Sequence, residues 1–520
     1  MLYQNPVISG FHPDPSVCRV GEDFYLVNST FEYFPGVPIY HSKNLVNWRL
    51  IGHCLTREAQ LPLHRCRPSG GIYAPTIRYH DGLFYMTSTN VTGGGNFIVS
   101  TGDPGGSWSD PVFIDQEGID PSLLFDDDGK VYFTSAWMDE AGQAGIYQCE
   151  IDPLSGAKCS DTVLISRGAG GRSPEAPHLY KYFGMYYLVL AEGGTEYGHS
   201  VTVFRSQAPY GPFTPCPFNP VLTHREDTRG EIDCVGHADF FTDQNGESWL
   251  VCLGTRSCSE KDNPVLLHNL GRETFLAPVR WSEDLWPLIG DEGNEGRISL
   301  SMDGPLPGPE PTAVRRDFSD DFSSSDFSPQ YNFLRNPQMQ NYKRDPERKA
   351  LILQGTEKTL SEQDSPSWIG IRQKDFLTRN TVTIAAAEKV QGMRAGLSAF
   401  YNDSYHYEIY LTCQQNQWKV CLAKQVHDIF VCTASADIPR PQNVRLRISS
   451  GKRFYRFSYS LNGKDYRELG KGATAGLCTE GSQTMSFTGT YIALFAERSR
   501  AVFKDFSSII RGAGEDAIKS

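Results

Sequence analysis

One supersecondary unit recurs five times along this chain, and this repetition constrains the fold more than any other feature. Each copy begins with a polar or proline-containing entry, runs into a short apolar strand, turns, and continues into an aromatic-rich strand. The turns, such as His80-Asp81-Gly82 and Asn245-Gly246, contain the residue types that hairpins require. The copies read HPDPSVCRVGEDFYLVNS, YAPTIRYHDGLFYMTST, IDPSLLFDDDGKVYFTSAW, PEAPHLYKYFGMYYLVLAE and GHADFFTDQNGESWLVCLG.

The spacing of the copies is typical of propeller blades. Equivalent positions are residues 14, 74, 120, 175 and 237, which lie 60, 46, 55 and 62 residues apart. Further strand-like segments follow each hairpin, for example GVPIYHSKNLVNW and SVTVFRSQAPYGPF, which gives about four strands per unit. No amphipathic helical segment separates the strands, and this argues against a parallel α/β barrel. The sequence therefore predicts an all-β fold that begins with a five-bladed β-propeller and completes it near residue 300.

A proline-rich segment separates the repeats from a second β-rich region. Pro305, Pro307, Pro309 and Pro311 favour a stiff linker over a strand. Beyond it, apolar and polar residues alternate with regular turns, as in LSAFYNDSYHYEIYLTC, and this period of two is typical of an antiparallel β-sandwich. We predict a propeller over 1–302, a linker over 303–316 and a jelly-roll-like β-sandwich over 317–520. A carbohydrate-binding module and a lid over the active-site pocket both fit this last region.

The composition argues against nucleic-acid and membrane partners. The formal net charge is −12, and no dense run of Lys and Arg is present. No apolar run approaches the roughly 20 residues that span a bilayer. The 13 cysteines are scattered without the paired spacing of a metal site, which is typical of reduced thiols. The N-terminus has no recognisable secretion signal, so we expect a cytoplasmic location. Secretion stays open as an alternative, because a leader that had already been removed would not be visible in this sequence.

The repeat also brings titratable side chains to equivalent positions. These positions hold Asp14, Ala74, Asp120, Glu175 and His237. Propeller symmetry places the first strand of every blade around one channel, so three carboxyls and one imidazole should converge. Three acids in a confined pocket cannot all ionise independently, so at least one pKa should rise. A proton donor then lies beside a proton acceptor, as glycosidic cleavage requires.

A purely structural role for these acids is the competing interpretation. Asp-Pro in HPDPS and in IDPS also forms turns, and either motif alone would favour that interpretation. Three acids at one repeat position weaken it, and Glu175, which precedes Ala-Pro in RSPEAPHLY, is not a turn residue. The sequence therefore favours a catalytic ring.

Several strings along the chain resemble family 43 of the glycoside hydrolases. They are NPVISGFHPDPSV, STFEYFPGVPIYHSKNLVNW, SGGIYAPTIRYHDGLFY, SPEAPHLYK, AEGGTEYGHS, VGHADFF and LGRET, in the family's order. The resemblance covers nearly the whole chain and is closest to the β-xylosidases with a C-terminal β-sandwich. It implies a single-displacement, inverting reaction. The residues alone leave inversion and retention open, because the outcome depends on the separation of two carboxyls.

The same resemblance implies a role for each acid of the ring. Asp14 would match the general base that deprotonates the attacking water. Glu175 would match the general acid that protonates the leaving oxygen. Asp120 would match the third carboxylate, which orients the sugar and adjusts the pKa of the acid.

Further pocket residues are implied by the resemblance as well. Arg272, in LGRET, resembles an arginine that contacts sugar hydroxyls in the terminal subsite. Phe31 and Tyr73 match pocket-lining aromatics, although packing within a blade would explain Phe31 equally well. The β-xylosidases resembled here tend to have Trp in place of Tyr73, which leaves the fine substrate preference open. Phe487, in MSFTGTYIALF, resembles a phenylalanine that the sandwich inserts to close a short pocket suited to exo-cleavage.

His237 raises the question of a metal ion. It resembles a histidine that in many relatives faces the channel centre and binds a water-coordinated cation, often calcium. A hydrogen-bonded structural imidazole would explain the residue equally well. Hydrolysis itself requires no cofactor. The one cofactor that the resemblance implies is a calcium ion at the propeller centre.

We expect an exo-acting β-xylosidase that releases xylose from short β-1,4-xylo-oligosaccharides, with α-L-arabinofuranosidase side activity. Two alternatives stay open: a dedicated α-L-arabinofuranosidase, which only pocket shape would distinguish, and a non-catalytic sugar-binding propeller. The acid triad argues against the second, because a binding protein does not need three desolvated carboxylates. Relatives with this two-domain plan often form dimers or tetramers, so a homo-oligomer is also expected.

Overall fold

The computed structural model describes residues 1–227, 231–259, 266–291, 293, 295–314, 316–440, 443–482 and 486–512. Residue 315 of the predicted linker, and 441–442, 483–485 and 513–520 of the predicted sandwich, lie outside these ranges. The described chain is almost entirely β-strand, apart from 3-10 helices at Met339–Asn341, Thr474–Leu477 and Thr479–Gly481. None of the helices in the described ranges is long and apolar enough to cross a membrane.

Five antiparallel sheets of four or five strands form the blades of a propeller. Strand β1 (Leu2–Gln4) precedes them. Blade 1 contains β2 (Ser16–Val20), β3 (Asp23–Val27), β5 (Gly36–Ser42) and β6 (Arg49–Leu55), while β4 (Tyr33–Phe34) leaves the blade. Blade 2 contains β7 (Thr76–His80), β8 (Leu83–Asn90), β9 (Gly95–Thr101) and β10 (Val112–Phe113). Blade 3 contains β11 (Ile119–Phe125), β12 (Val131–Met138), β13 (Ala144–Glu150) and β14 (Val163–Ser166). Blade 4 contains β15 (Glu175–Tyr182), β16 (Met185–Glu192), β17 (Ser200–Ser206), β18 (Thr214–Pro215) and β19 (Leu222–Thr223). Blade 5 contains β20 (Ile232–Thr242), β21 (Ser248–Arg256), β22 (Glu273–Trp281) and β23 (Pro287–Ile289).

The inner hairpin of every blade turns at a glycine that the repeat analysis predicted. These glycines have φ between 62° and 87°, a left-handed backbone that glycine adopts without a steric penalty. They are Gly21, Gly82, Gly129, Gly184 and Gly246. The predicted five-bladed propeller is thereby confirmed, together with its hairpin turns.

Contacts between blade 5 and blade 1 close the ring. Strand β1 pairs with β24 (Ser301–Asp303), so that the start of the chain meets the end of the propeller. Asp239 of β20 accepts hydrogen bonds from the Ser16 hydroxyl at 2.5 Å and the Val17 N–H at 3.0 Å. The rings of Phe24 and Phe241 pack across the same junction with centroids 6.0 Å apart. Both polar and apolar contacts therefore hold the two terminal blades together.

The proline-rich segment runs along blade 1. The side-chain amide of Asn44 donates to the carbonyl of Pro309 at 3.1 Å, and that of Asn47 donates to the carbonyl of Thr312 at 2.8 Å. The described part of this segment is therefore attached to the propeller and does not project into solvent.

The C-terminal region is a sandwich of two eight-stranded sheets, as predicted. Its strands are β25 (Phe318–Asp320), β26 (Asn332–Leu334), β27 (Tyr342–Asp345), β28 (Ala350–Gln354), β29 (Ser367–Arg372), β30 (Thr378–Ala387), β31 (Arg394–Asn402), β32 (Tyr405–Gln414), β33 (Gln417–Val426), β34 (Ile429–Ile438), β35 (Val444–Ser449), β36 (Phe454–Ser460), β37 (Arg467–Ala473), β38 (Tyr491–Glu497) and β39 (Arg500–Ile510). One sheet has the order β27-β28-β39-β30-β35-β36-β37, with β25 beside β39. The other has the order β34-β33-β32-β31-β38-β29-β26-β4.

Strand β4 joins the propeller segment to the second sheet of the sandwich. Tyr33 lies opposite Leu334, and Phe34 lies opposite Phe333. The ring of Tyr33 stacks on Tyr491 of β38 with centroids 4.3 Å apart. Because β4 is only a few residues from Phe31 along the chain, this pairing brings the sandwich to the predicted pocket.

Candidate active site

The five equivalent positions of the repeat line one pocket. Asp14, Ala74, Asp120, Glu175 and His237 contribute to its surface. The other lining residues come from loops, from blade edges and from the sandwich: Phe31, Tyr73, Ile119, Thr195, His199, Arg272 and Phe487. The structure thus brings together all eight site residues that the sequence predicted.

Backbone irregularities aim the ring side chains into the pocket. Asp14, Asp120 and His237 have φ values of 51°, 54° and 50°, in a left-handed region that residues with side chains seldom occupy. Asp120 lies within a register shift of β11, and Glu175 begins one in β15. Bulges of this kind re-aim side chains at strand ends, and strained backbone tends to cluster at active sites. The repeat therefore supplies a common geometry for these residues as well as a common position.

Asp14 is held by a guanidinium and a hydroxyl. Its side chain is buried, and Oδ1 accepts a hydrogen bond from Nη1 of Arg272 at 3.0 Å. The Ser29 hydroxyl donates to Oδ2. Nδ1 of His237 lies 3.4 Å from Oδ1. These contacts fix the orientation of the Asp14 carboxyl within the pocket.

Burial raises the pKa of both Glu175 and Asp120. Burial, followed by the charge of Asp14, raises the pKa of Glu175 to about 7, although nearby arginines act in the opposite direction. For Asp120, burial and then the charges of Glu175 and Asp14 raise the pKa well above its usual range. A hydrogen bond from the backbone N–H of Ala176 opposes that shift. Because ionisation of one carboxyl disfavours ionisation of the other, the pair retains a proton near neutral pH.

Three aromatic rings form a wall on one side of the acids. The ring centroid of Phe31 lies 5.4 Å from that of Tyr73 and 5.6 Å from that of Phe487. Tyr73 and Phe487 are 5.9 Å apart, edge to face. The backbone of Phe487 is bound twice by the propeller: its N–H donates to the Ser69 hydroxyl at 2.9 Å, and its carbonyl accepts from Arg272 at 3.2 Å. The sandwich therefore supplies one wall of the pocket.

An ion pair fills the propeller axis beyond the ring of acids. Arg78 donates to Asp239 through Nη1 at 2.9 Å and through Nη2 at 3.0 Å. The Tyr180 hydroxyl also donates to Asp239, whose side chain is completely buried. Arg78, Tyr180 and Asp239 come from β7, β15 and β20 of three different blades, which places the pair where the innermost strands converge. A guanidinium thus occupies this part of the axis.

His237 lines the pocket, and Asp239 of the axial pair follows it two residues later in β20. Burial lowers the pKa of His237, so the ring is neutral near pH 7. Within the ranges that the structure describes, no group of three or more His, Cys, Asp or Glu side chains is arranged to hold a metal ion. A cation that His237 binds through water molecules, as the resemblance implies, stays a prediction from the sequence.

Thr195 and His199 line the pocket although the sequence analysis did not single them out. The Thr195 hydroxyl accepts a hydrogen bond from Nη1 of Arg272 at 3.0 Å. Nδ1 of His199 donates to the carbonyl of Cys234 at 3.1 Å, and burial lowers the pKa of His199 to about 3. Nε2 is therefore an acceptor. Both residues lie in AEGGTEYGHS, and their place within that string was the one signal that could have indicated them.

A second cavity adjoins the pocket through Ile119, which lines both. Trp137, the penultimate residue of β12, contributes to it and is 45% exposed. Polar groups of Thr92 and Gln116 lie in the same cavity. An exposed tryptophan beside polar groups is suited to contact the apolar face of a sugar ring.

Two family descriptions together match most of the chain. Residues 3–287 match "Glycosyl hydrolases family 43", and residues 319–507 match "Beta xylosidase C-terminal Concanavalin A-like domain". The first range corresponds to the blades and the second to the sandwich.

Individual proteins resemble the chain over both regions. A non-reducing end α-L-arabinofuranosidase of Bacteroides ovatus is 39% identical over 498 residues, which are 95% of this chain and 91% of that protein. A xylosidase/arabinosidase of Butyrivibrio fibrisolvens is 37% identical over 464 residues, which are 84% of this chain and 85% of that protein. The crystal structure of a xylan β-1,4-xylosidase from Bacillus halodurans has a TM-score of 0.90 at 29% identity, covering 97% of this chain and 99% of that one.

Proposed function

The chain belongs to glycosyl hydrolase family 43, whose members hydrolyse glycosidic bonds with inversion, and from this premise we propose that it is an exo-acting β-xylosidase. It would release xylose from the non-reducing end of short β-1,4-xylo-oligosaccharides. The observation that carries the proposal is the convergence of Asp14, Asp120 and Glu175 beside an aromatic wall, with the pKa of Glu175 raised to about 7.

Glu175 is the general acid in this proposal. A carboxyl with a pKa of about 7 is protonated in a large fraction of the molecules in neutral solution and gives its proton readily to a leaving oxygen. Asp120 and Glu175 together retain a proton, because the ionisation of one disfavours that of the other. The hydrogen bond from Ala176, the residue that follows Glu175, holds Asp120 beside the acid.

Asp14 is the general base. The hydrogen bonds from Arg272 and Ser29 leave little freedom to its side chain. It would accept a proton from a water molecule that attacks the anomeric carbon, while Glu175 gives a proton to the departing oxygen. One displacement with one base and one acid gives inversion.

The pocket binds a terminal sugar from two sides. Phe31, Tyr73 and Phe487 face the apolar surface of the ring, and Arg272 and Thr195 provide polar groups for its hydroxyls. The sandwich closes the pocket on one side through Phe487. A pocket closed in this way accepts a chain end, which supports exo-cleavage. Trp137 would contact the leaving part of the oligosaccharide from the adjoining cavity.

The proposed reaction uses Asp14 as the base and Glu175 as the acid, and neither role requires a metal ion. A cytoplasmic location and self-association stay predictions from the sequence.

A dedicated α-L-arabinofuranosidase is the second candidate, and Tyr73 is the observation that favours it. The Tyr73 hydroxyl accepts a hydrogen bond from Arg67 at 3.3 Å, which places a polar group in the aromatic wall. The relative from Bacteroides ovatus, described above, also has this activity by name. A furanose and a pyranose differ in ring shape, so this wall would discriminate between them.

Initial rates on xylobiose, 4-nitrophenyl β-D-xylopyranoside and 4-nitrophenyl α-L-arabinofuranoside test the proposal. We expect wild type to hydrolyse xylobiose, and Glu175→Gln to lose about 100-fold or more of that rate. Glu247→Gln is the matched control. Glu247 is exposed and lies in the turn that follows β20, at the end of this strand that is farther from the pocket.

Each outcome of this experiment has a distinct meaning. Hydrolysis of the arabinofuranoside alone would contradict the β-xylosidase proposal and favour the second candidate. Absence of turnover with folded wild type on all three substrates would contradict both. Full xylobiose activity in Glu175→Gln would contradict the assignment of the acid.

A further inference from the structure

A buried carboxylate outside the pocket holds the loop that leads into Glu175. Glu192 is the last residue of β16, and its side chain is 2% exposed. It accepts hydrogen bonds from the backbone N–H groups of Ala169 at 2.7 Å and Gly171 at 2.8 Å. It also accepts from the Thr202 hydroxyl on β17 at 2.7 Å. One carboxylate therefore connects this loop to two strands of blade 4.

Glu192 binds the middle of the loop, whereas Arg167 and Arg172 hold its two ends. Between β14 and Glu175 it reads RGAGGRSP, and most of residues 167–173 are exposed or half-buried. Three glycines in this segment give it unusual backbone freedom when nothing holds it. A Cβ at Gly171 would lie 2.5 Å from Oε2 of Glu192, so the loop packs directly on the carboxylate. At one end of the loop Arg167 donates hydrogen bonds to Asp139 at 2.6 Å and to the carbonyl of Gln143 at 2.9 Å. At the other end Arg172 donates to Glu196 at 3.0 Å, and its carbonyl accepts a hydrogen bond from the Gly193 N–H at 2.7 Å. Glu192 alone among these groups binds the backbone of Ala169 and Gly171 between the two ends.

The end of this loop determines where the acid lies. Pro174 is buried and Glu175 follows it directly at the start of β15. Burial is the largest cause of the raised pKa of Glu175. A loop that moved away would therefore expose the acid to water, lower its pKa toward its usual range and change its direction toward the substrate.

We propose that Glu192 is a positioning residue for the general acid, acting through the 167–174 loop and never touching the substrate. The inference rests on the proposed role of Glu175. Glu192→Gln is a suitable probe because it conserves volume while replacing one acceptor oxygen with an NH₂ donor. All three partners of Glu192 are donors, so at least one hydrogen bond must be lost.

The test compares leaving groups that differ in their need for a proton. Xylobiose loses a sugar alkoxide and depends strongly on the acid, whereas 2,4-dinitrophenyl β-D-xylopyranoside loses a stable phenolate and hardly depends on it. For Glu192→Gln we expect kcat on xylobiose to fall about 10- to 100-fold, and kcat on the dinitrophenyl substrate to fall less than about threefold. The alkaline limb of kcat/KM on xylobiose should move to lower pH by about 0.5 unit or more.

Equal losses on both substrates with an unchanged alkaline limb would overturn the proposal, since a general weakening of the fold has that effect. Unchanged kinetics on both substrates would overturn it as well. If wild type hydrolyses neither substrate, the proposed function fails, and this inference fails with it. Failure of the inference alone looks different, because wild type is then active on both substrates. Should Glu192→Gln not fold, Thr202→Val removes one of the same hydrogen bonds without changing volume, and the same selective loss, smaller in size, is expected. Glu247→Gln again serves as the control.

Discussion

Nη1 of Arg272 donates a hydrogen bond to Oδ1 of Asp14 at 3.0 Å. The same guanidinium binds the Thr195 hydroxyl at 3.0 Å and, through Nη2, the carbonyl of Phe487 at 3.2 Å. Asp14 and Phe487 belong to different domains, and Arg272 connects them. The orientation of the proposed base is therefore coupled to the position of the sandwich.

Replacement of Arg272 by lysine tests this coupling. Lysine keeps the charge but cannot bind Asp14, Thr195 and Phe487 with one planar fork, so we expect kcat/KM on xylobiose to fall about 100-fold or more. Arg280→Lys, at a partly exposed site in β22, which begins directly after Arg272, is the control and should behave as wild type. A variant within a few-fold of wild type would contradict the role of Arg272.

Removal of the Phe487 ring tests the contribution of the sandwich to binding. Phe487→Ala takes away one of three rings in the wall and leaves the hydrogen bonds of its backbone possible. We expect KM for xylobiose to rise about tenfold, with a smaller change in kcat. Steady-state kinetics would show this, with Phe218→Ala, at a 44% exposed residue, as control. A KM equal to that of wild type would mean that the sandwich does not form part of the sugar site.

The pH dependence of the reaction follows from the pKa of Glu175. The acid must carry its proton, so kcat/KM on xylobiose should decline as the pH rises through about 7. Because Glu175 and Asp120 titrate together, the observed midpoint belongs to the pair. Rates measured from acidic to alkaline pH at constant ionic strength check this. A rate that stays constant well into the alkaline range would show that no carboxyl of this kind limits the reaction.

Removal of metal ions should leave the activity intact. Asp14 and Glu175 act as base and acid without a metal ion in the proposed reaction, and the Arg78–Asp239 pair at the axis balances its own charges. After dialysis against EDTA we expect kcat on xylobiose to change by less than about twofold. Loss of activity that calcium restores, with calcium found in the untreated protein by elemental analysis, would contradict this account of the axis.

The repeat was sufficient to predict the blades and the acids, because both are local properties of one repeated unit. Asp14, Asp120 and Glu175 occupy the same place in three copies, and all three line one pocket. The alternation of apolar and polar residues, together with regularly spaced turn residues, was sufficient to predict the sandwich.

Contacts between distant parts of the chain could not be predicted in this way. Arg272 and Phe487 came from the resemblance alone, and they meet across more than 200 residues with no periodic signal between them. The pairing of β4 with β26 was missed, since Tyr33–Phe34 is too short to indicate a strand of another domain. Glu192 was missed for a different reason: its partners are backbone N–H groups, which every sequence contains.

The stereochemistry of the first product tests the central claim most directly, namely that Asp14 and Glu175 act on a β-xyloside in a single displacement. Proton NMR during the first minutes of xylobiose hydrolysis distinguishes the anomers before mutarotation mixes them. We predict that the xylose released from the non-reducing end appears first as the α-anomer. Initial release of the β-anomer would contradict the account, because it would require a covalent intermediate and a different role for Asp14.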